Sequence, residues 1–564
     1  MNTERLILEH IYDHEAQTPD HVYLTQPIGG GRVVDTNWAQ TLDQARRMAT
    51  HLQAQSFERG ARIAILSKNC AHFIIAELAI WMSGGTTVAI FPTEKAATVR
   101  YVLEHSGASL LFVGKLDSWD EQRAGLPAGL PCIAFPLAPA SALDGSLPTW
   151  DAIVAASAPL PGRPARGADE LAMILYTSGS TGTPKGVMTS FGAITRTGQG
   201  IAADNRRRVG PGDSRMLSYL PLAHSFERSW VEAASLVDGG MHLYFAESLD
   251  TFLADLQRAR PTLFISVPRL WLKFQQGVFA KMPPAKLDRL LGIPILGGIV
   301  CKKVLKGLGL DAVKQAGSGS APLPAELIRW YRKLGLRLFE GYGMSEDNSY
   351  SHSSNEDHGE PGWVGVPMPG VECRISQDGE KGEILIKSPG QFSGYYKDAD
   401  LTAASFTEDG FFRTGDLGER RADGMLKITG RAKELFKTAK GKYVAPAPIE
   451  NLINVHPMVE MSLVTGNGQA AAIAIVVLAE ELRPRLQDSA FRAQAKAEME
   501  TLLADVNRQL SDYERLHTIV IAREAWSIDN GLLTPTMKLK RSRIEHTIEA
   551  ALPVWYEKKG VQWH

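Results

Sequence analysis

Cysteine is scarce in this chain: Cys70, Cys132, Cys301 and Cys373 are the only four in 564 residues, widely separated and without a CxxC pair. That excludes a disulfide framework and a zinc ribbon, and it suits a reducing compartment. Neither sign of charge predominates. The 61 Lys and Arg stand against 62 Asp and Glu, a formal net charge of -1, so no global field gathers a polyanion and nucleic acid is not an expected partner. Long hydrophobic runs are also missing. The longest near the C-terminus, Ala470 to Ala479, is about half the length of a membrane-spanning helix and reads as a buried strand. At the N-terminus, MNTERLILEHIYDHE interrupts Leu6 to Leu8 with charge at once, so no export signal is expected. The location these absences favour is cytoplasmic.

The composition that remains is that of a globular protein, with 44% hydrophobic and 22% charged residues. A chain of this length exceeds one ordinary core, so two or more domains are expected. Residues 41–114 alternate helical patterns (TLDQARRMATHLQ, NCAHFIIAELAIWMSG) with short β-branched runs (ARIAIL, TTVAIF, SLLFVG), the rhythm of βαβ units in a largely parallel sheet. Residues 124–167 are rich in Ala, Pro and Gly and read as connecting loop with short structured pieces. A second α/β stretch runs from Leu171 to Glu346. Short strands follow to Gly430 (GVECRIS, GEILIK, GMLKITG) and read as a small β subdomain. A separate small α/β domain follows, with a long charged helical segment from Glu481 to Tyr513.

The strongest local signal is YTSGSTGTPKGV, Tyr176 to Val187, after the apolar run LAMIL. A loop of small residues after a strand turns main-chain N–H groups and hydroxyls toward a polyphosphate, and Lys185 adds charge. It is not a Walker loop, because Pro184 precedes the lysine where glycine is required.

This segment resembles the signature loop of the AMP-forming adenylate-forming enzymes: acyl-CoA synthetases, peptide-synthetase adenylation domains and luciferases. Six further segments resemble that family's motifs and follow in family order: LPLAHSFER (220–228), GSGSAPL (317–323), FEGYGMSE (339–346), FFRTGDLGE (411–419), ITGRAKELFKTAKGKYVAPAPIE (428–450) and TPTMKLKR (534–541). The resemblance implies an α/β fold. A large N-terminal AMP-binding domain, 1–430, would hold α/β subdomains and a small β subdomain, and a hinged, smaller C-terminal α/β domain, 431–564, would carry the adenylation lysine.

It also implies roles by position. Thr177, Ser178, Gly179, Ser180, Thr181 and Gly182 would cradle phosphate. Ser320, Ala321, Pro322, Glu340, Gly341, Tyr342, Gly343, Met344 and Ser345 would line the nucleotide site. Tyr342 would lay its ring on the purine. Asp416 would accept from the ribose diol, as a carboxylate can, and Arg431 would offer its rigid fork to ribose or phosphate. Glu346 and the Thr177 hydroxyl would ligate Mg2+, which takes few protein oxygens beside substrate phosphates. His224 would lie where the carboxylate substrate meets the α-phosphate. Lys433 matches the hinge between two active conformations, and Lys538 the lysine that reaches the α-phosphate and carboxylate. Many relatives have glycine where this chain has Met537, which leaves Lys540 as an alternative to Lys538.

The reaction implied is ATP-dependent formation of an acyl-adenylate with pyrophosphate release, then transfer to CoA as co-substrate. The wording of SYLPLAHSFERS, FKTAKGKYVAPAPIE and LLTPTMKLKR resembles long-chain fatty acid–CoA ligases most, so a fatty acid is the expected substrate. A carrier protein as acceptor, or another carboxylic acid, stays open. So does a catalytically dead relative that only binds ligand, against which the retained Lys185, Glu346, Asp416, Arg431 and Lys538 argue. Trp230 reads as a core tryptophan more readily than as a tunnel residue. The segment 286–310 mixes apolar and basic residues, which suits the inner face of a membrane. Pro294, Gly297 and Gly298 interrupt it, so a helix pair packed on the domain is the preferred reading.

Overall fold

A computed structural model describes residues 4–178, 183–210, 212, 214–376, 381–534 and 537–564, the Ser178 side chain apart. The βαβ rhythm produces the expected sheet. Arg62–Leu66 pairs in parallel with Thr86–Ile90 and with Leu110–Val113, and Thr86–Ile90 pairs in parallel with Leu171–Ser178. Thr86–Ile90 is buried throughout, which is why its sequence is apolar or β-branched without alternation. Helices Trp38–Ala54, Ala71–Met82 and Ala96–Ser106 fill the intervals. The Ala/Pro/Gly-rich stretch holds only short pieces, among them Cys132–Ala134 and Trp150–Ala156.

Two more sheets complete the second α/β region. Val33–Asn37, Val22–Pro27, Met241–Phe245 and Ser214–Ser218 form one. Leu263–Ser266, Gln315–Ser318, Leu338–Tyr342, His352–Ser353 and Val366–Pro367 form the other. The small β subdomain is an antiparallel sheet of Glu372–Ile375, Lys381–Lys387, Phe412–Arg420 and Leu426–Arg431.

From Phe436 onward the chain closes its own apolar cores. Two buried clusters draw every member from residues 436–563. They sit on the two sides of the sheet Val459–Thr465, Ala472–Leu478, Leu516–Ile521 and Gly560–Trp563. The apolar run read as a buried strand is Ala472–Leu478, buried at every position. The long charged segment begins as a short 3-10 stretch, Glu480–Gln487, containing Pro484. Asp488 then accepts from the Ala490 N–H and caps helix Ser489–Gln509. Among the described residues no helix is long and apolar enough to cross a membrane.

Candidate active site

The signature loop joins two antiparallel strands. Leu171–Ser178 turns into Pro184–Ser190, so that Thr177 faces Lys185 and Ser178 faces Pro184 across the ladder. Gly179, Ser180, Thr181 and Gly182 lie outside the described residues. The Lys185 ammonium stands 5.5 Å from the ring centroid of Tyr395. The Tyr395 hydroxyl in turn donates to Glu346 Oε1 at 2.8 Å. Burial pushes the Glu346 carboxyl above its ordinary pKa, with Tyr395 opposing the shift.

Asp416 sits at the centre of the nucleotide motifs. Within the β subdomain it lies opposite Arg431 on adjacent strands, whose Nε is 3.0 Å from Asp416 Oδ1. Tyr342 donates its hydroxyl to Asp416 Oδ2 at 2.8 Å. Tyr342 is therefore anchored, through its hydroxyl, to the carboxylate expected to take the ribose. Gly343 has a steric reason to be glycine: a Cβ there would stand 2.6 Å from the main chain of Ser349. Glu340 serves its own fold. Its carboxylate accepts from the main-chain N–H of Leu323 at 3.3 Å and of Gly362 at 2.9 Å, and its carbonyl accepts from Ser354. Burial raises its pKa to about 7. Its side chain ties the loop bearing Ser320, Ala321 and Pro322 to the segment Glu340–Ser345.

His224 caps a short helix, its Nδ1 accepting the Phe226 N–H at 3.1 Å. Burial first, then the charge of Lys538, lowers its pKa to about 3. The ring is thus neutral and keeps its proton on Nε2. Ser225 bonds the hydroxyls of Ser349 at 2.8 Å and Ser345 at 3.3 Å, which joins the His224 segment to the loop after Tyr342. From the other side Gly319 approaches Phe226, to within 3.2 Å of a Cβ built there. Ser320 next to it has φ +67, a left-handed conformation that turns the chain sharply at the site.

The C-terminal part brings Lys538 into the same cleft. Lys538 donates its N–H to Thr534 Oγ1 at 3.0 Å and accepts from the Thr534 N–H at 2.8 Å. Met537 beside it holds φ +61, a left-handed backbone that glycine adopts freely and that carries about 1–2 kcal/mol of strain in an L-residue. Loss of solvation among the surrounding groups lowers the Lys538 pKa to about 8, the charge of Arg431 adding to the shift and Asp416 and Glu346 opposing it. Lys540 instead caps helix Arg541–Ile548, and its charge acts on Glu94. Lys433 is exposed in a single 3-10 turn after Arg431. Its neighbour Glu434 pairs with Arg541 at 3.1 Å. Two polar contacts between the two parts of the chain accompany this arrangement: Lys95 donates to the Asp529 carbonyl at 2.8 Å, and Arg269 pairs with Glu460.

Two features escaped the sequence. Tyr395 lies in SGYYKD, where nothing in residue type or spacing marks it. Asn69 and Glu227, 158 positions apart, together brace the loop leading to His224. Asn69 donates to the Leu220 carbonyl and accepts from the Leu222 N–H, while Glu227 accepts from Ser218 and Tyr219. Burial raises Glu227 to about 8. Trp230 is a packed residue: its ring is buried and its indole N–H donates to the Ser349 carbonyl at 2.8 Å.

Three cations, two carboxylates and a neutral imidazole thus share one cleft, an arrangement suited to a polyphosphate and a second anion held together. The chain belongs to the AMP-binding enzyme family, whose model matches residues 11–396, with the family's C-terminal domain matching residues 434–559. It is an adenylate-forming ligase by this membership. Among its relatives, the long-chain-fatty-acid–CoA ligase FadD15 of Mycobacterium bovis is 31% identical, over 97% of this chain and 96% of that protein. Human long-chain-fatty-acid–CoA ligase 1 is 30% identical, over 88% of this chain and 78% of that one. In fold the chain resembles the A domain of a carboxylic acid reductase from Segniliparus rugosus, solved with AMP and a co-purified carboxylic acid. The TM-score is 0.81 at 23% identity, covering 98% of this chain and 94% of that one. It also resembles a benzoate CoA ligase from Burkholderia xenovorans, with TM-score 0.74 at 22% identity, over 96% and 99% of the two chains.

Proposed function

We propose that this enzyme activates a long-chain fatty acid with ATP and passes the acyl group to CoA. The observation that carries the reading is the meeting of Lys538 with Arg431, Asp416 and His224 around one cleft. In the first step a carboxylate oxygen attacks the α-phosphorus and pyrophosphate leaves. Two anions must meet, so the work is neutralisation and in-line positioning. Lys185 faces the leaving phosphates from its strand, Lys538 the α-phosphate and the attacking carboxylate. His224, neutral with its proton on Nε2, donates to the acid without adding charge. Asp416 takes the ribose hydroxyls, with Tyr342 and Arg431 holding its orientation.

Glu346 fits a role as Mg2+ ligand, because Tyr395 bonds only one of its oxygens and no cation pairs with it among the described residues. With the Thr177 hydroxyl it would hold the ion, which supplies charge neutralisation at the phosphates. In the second step a thiolate attacks the acyl carbonyl and AMP leaves. Lys538 occupies the cleft in the first step. Arg431 stays in the β subdomain, paired with Asp416, so rotation of the residues after Lys433, not of the whole of 431–564, would withdraw Lys538 for the second. The long-chain assignment rests on the motif wording and on the names of relatives at about this level of identity. The unpaired cysteines agree with a cytoplasmic setting. The test is a pyrophosphate-release screen over fatty, aryl and amino acids, with CoA and with a carrier protein. Turnover confined to long-chain fatty acids with free CoA is expected. Preference for an aryl or amino acid would displace the fatty acid as substrate, and transfer to the carrier protein alone would displace CoA as acceptor.

A further inference from the structure

The segment 286–310 packs on the domain as the expected helix pair, through Val304, Leu305, Leu308 and Leu310, but the joint between its helices is left uncovered. Pro294 and the glycines do interrupt it, into Pro284–Leu291 and Leu296–Gly307. The first buries only Leu287 and the second only Gly297. Gly297 lets the two helices close on each other, since a Cβ there would meet the Leu291 carbonyl at 2.4 Å. The joint is therefore folded tightly while its apolar side chains point outward. Ile295 is 87% exposed and Ile299 57%, and Ile293 and Leu296 beside them are exposed as well. Ile295 holds φ +68, a left-handed backbone that a β-branched residue strongly resists, so its outward placement is imposed by the fold.

The charge along residues 273–306, the stretch that carries this joint, is one-sided. Lys273, Lys281, Lys286, Arg289, Lys302, Lys303 and Lys306 are all exposed, and the only acid among residues 273–306 is Asp288. Asp288 is taken up by Lys333 at 2.6 Å. None of the seven cations has an ion pair among the described residues. In a chain of net charge -1, this is a strong local surplus. Exposed aliphatic side chains flanked by unpaired lysines match an anionic bilayer, where the apolar groups enter the boundary below the headgroups and the cations lie against phosphate. A protein partner would more readily use a recess, whereas Ile295 projects.

We propose that the joint between these two helices docks the enzyme on an anionic phospholipid surface. The surface is independent of the acid-activation reading, because docking is read without ATP or acid. The experiment is flotation of the full chain with vesicles of phosphatidylcholine, with and without phosphatidylglycerol, at low and high salt. The wild type is expected to float with the anionic vesicles and to be released by salt. Ile295→Ser with Ile299→Ser should abolish flotation. Lys302→Gln with Lys303→Gln should weaken it about fivefold per lysine, the equivalent of about 1 kcal/mol for each cation near an anionic leaflet. Both variants should retain their circular dichroism and their activity on a detergent-dispersed acid, which separates lost docking from lost folding. The proposal is overturned if the wild type stays with the unbound protein. It is equally overturned if both variants float undiminished, or if these substitutions abolish capture of an acidic carrier protein while vesicles are ignored.

Discussion

Replacing Lys538 with alanine separates the two half-reactions. At a pKa of about 8, roughly nine in ten Lys538 side chains are charged at neutral pH, so the unbound enzyme already presents a cation to the α-phosphate. Removing one preorganised donor from a site where charge develops costs about 10²–10³ in rate, about 3–4 kcal/mol of barrier. Adenylate formation by Lys538→Ala should fall by that factor. Thioester formation from supplied acyl-adenylate should largely survive, because the lysine acts only on the first step. Single-turnover kinetics of each half, after circular dichroism has shown the variant folded, gives both numbers. The assignment fails if both halves slow equally. It also fails if Lys540→Ala alone stops adenylation, although the charge of Lys540 bears on Glu94.

Three other outcomes follow from the same geometry. Asp416→Ala removes the carboxylate that holds Arg431 and Tyr342 and should cost about 2–3 kcal/mol of transition-state stabilisation, seen as weakened use of ATP. An unchanged ATP-dependence would take Asp416 out of the site. Lys433→Pro fixes φ in the turn after Arg431 and should slow the thiol step more than adenylation; equal loss in both would remove the hinge from that position. The kcat/KM for adenylation should fall as pH rises through about 8, where Lys538 loses its proton, with no limb near neutrality from His224, held at about 3. A flat profile through that pH would contradict the need for a charged lysine.

Much of the fold was legible because its signals are local. Thr86–Ile90 reads as a two-sided buried strand from five residues, and the seven motifs carry their chemistry in contiguous stretches. The departure at Met537 was visible in sequence, and its meaning, a left-handed turn that glycine would occupy without strain, needed the backbone. What stayed hidden depends on contacts between distant segments. Asn69 and Glu227 brace the His224 loop across 158 positions, and each looks like an ordinary polar residue in its own helix or loop. Tyr395 reaches Glu346 across 49 positions from a segment with no marked composition. The helix pair of 286–310 was legible, but the exposure of its joint at Ile295 was not, for a related reason. An amphipathic pattern tells which residues are apolar, but whether a neighbour covers them is decided by tertiary packing.

The central claim, that the acid's own oxygen attacks the α-phosphorus of ATP, is tested most directly by isotope transfer. A fatty acid labelled with 18O in its carboxylate is turned over with ATP and CoA, and the AMP is analysed by mass spectrometry. One labelled oxygen in AMP, with pyrophosphate unlabelled, is the result the account predicts. ADP in place of AMP, or AMP without label, would contradict it.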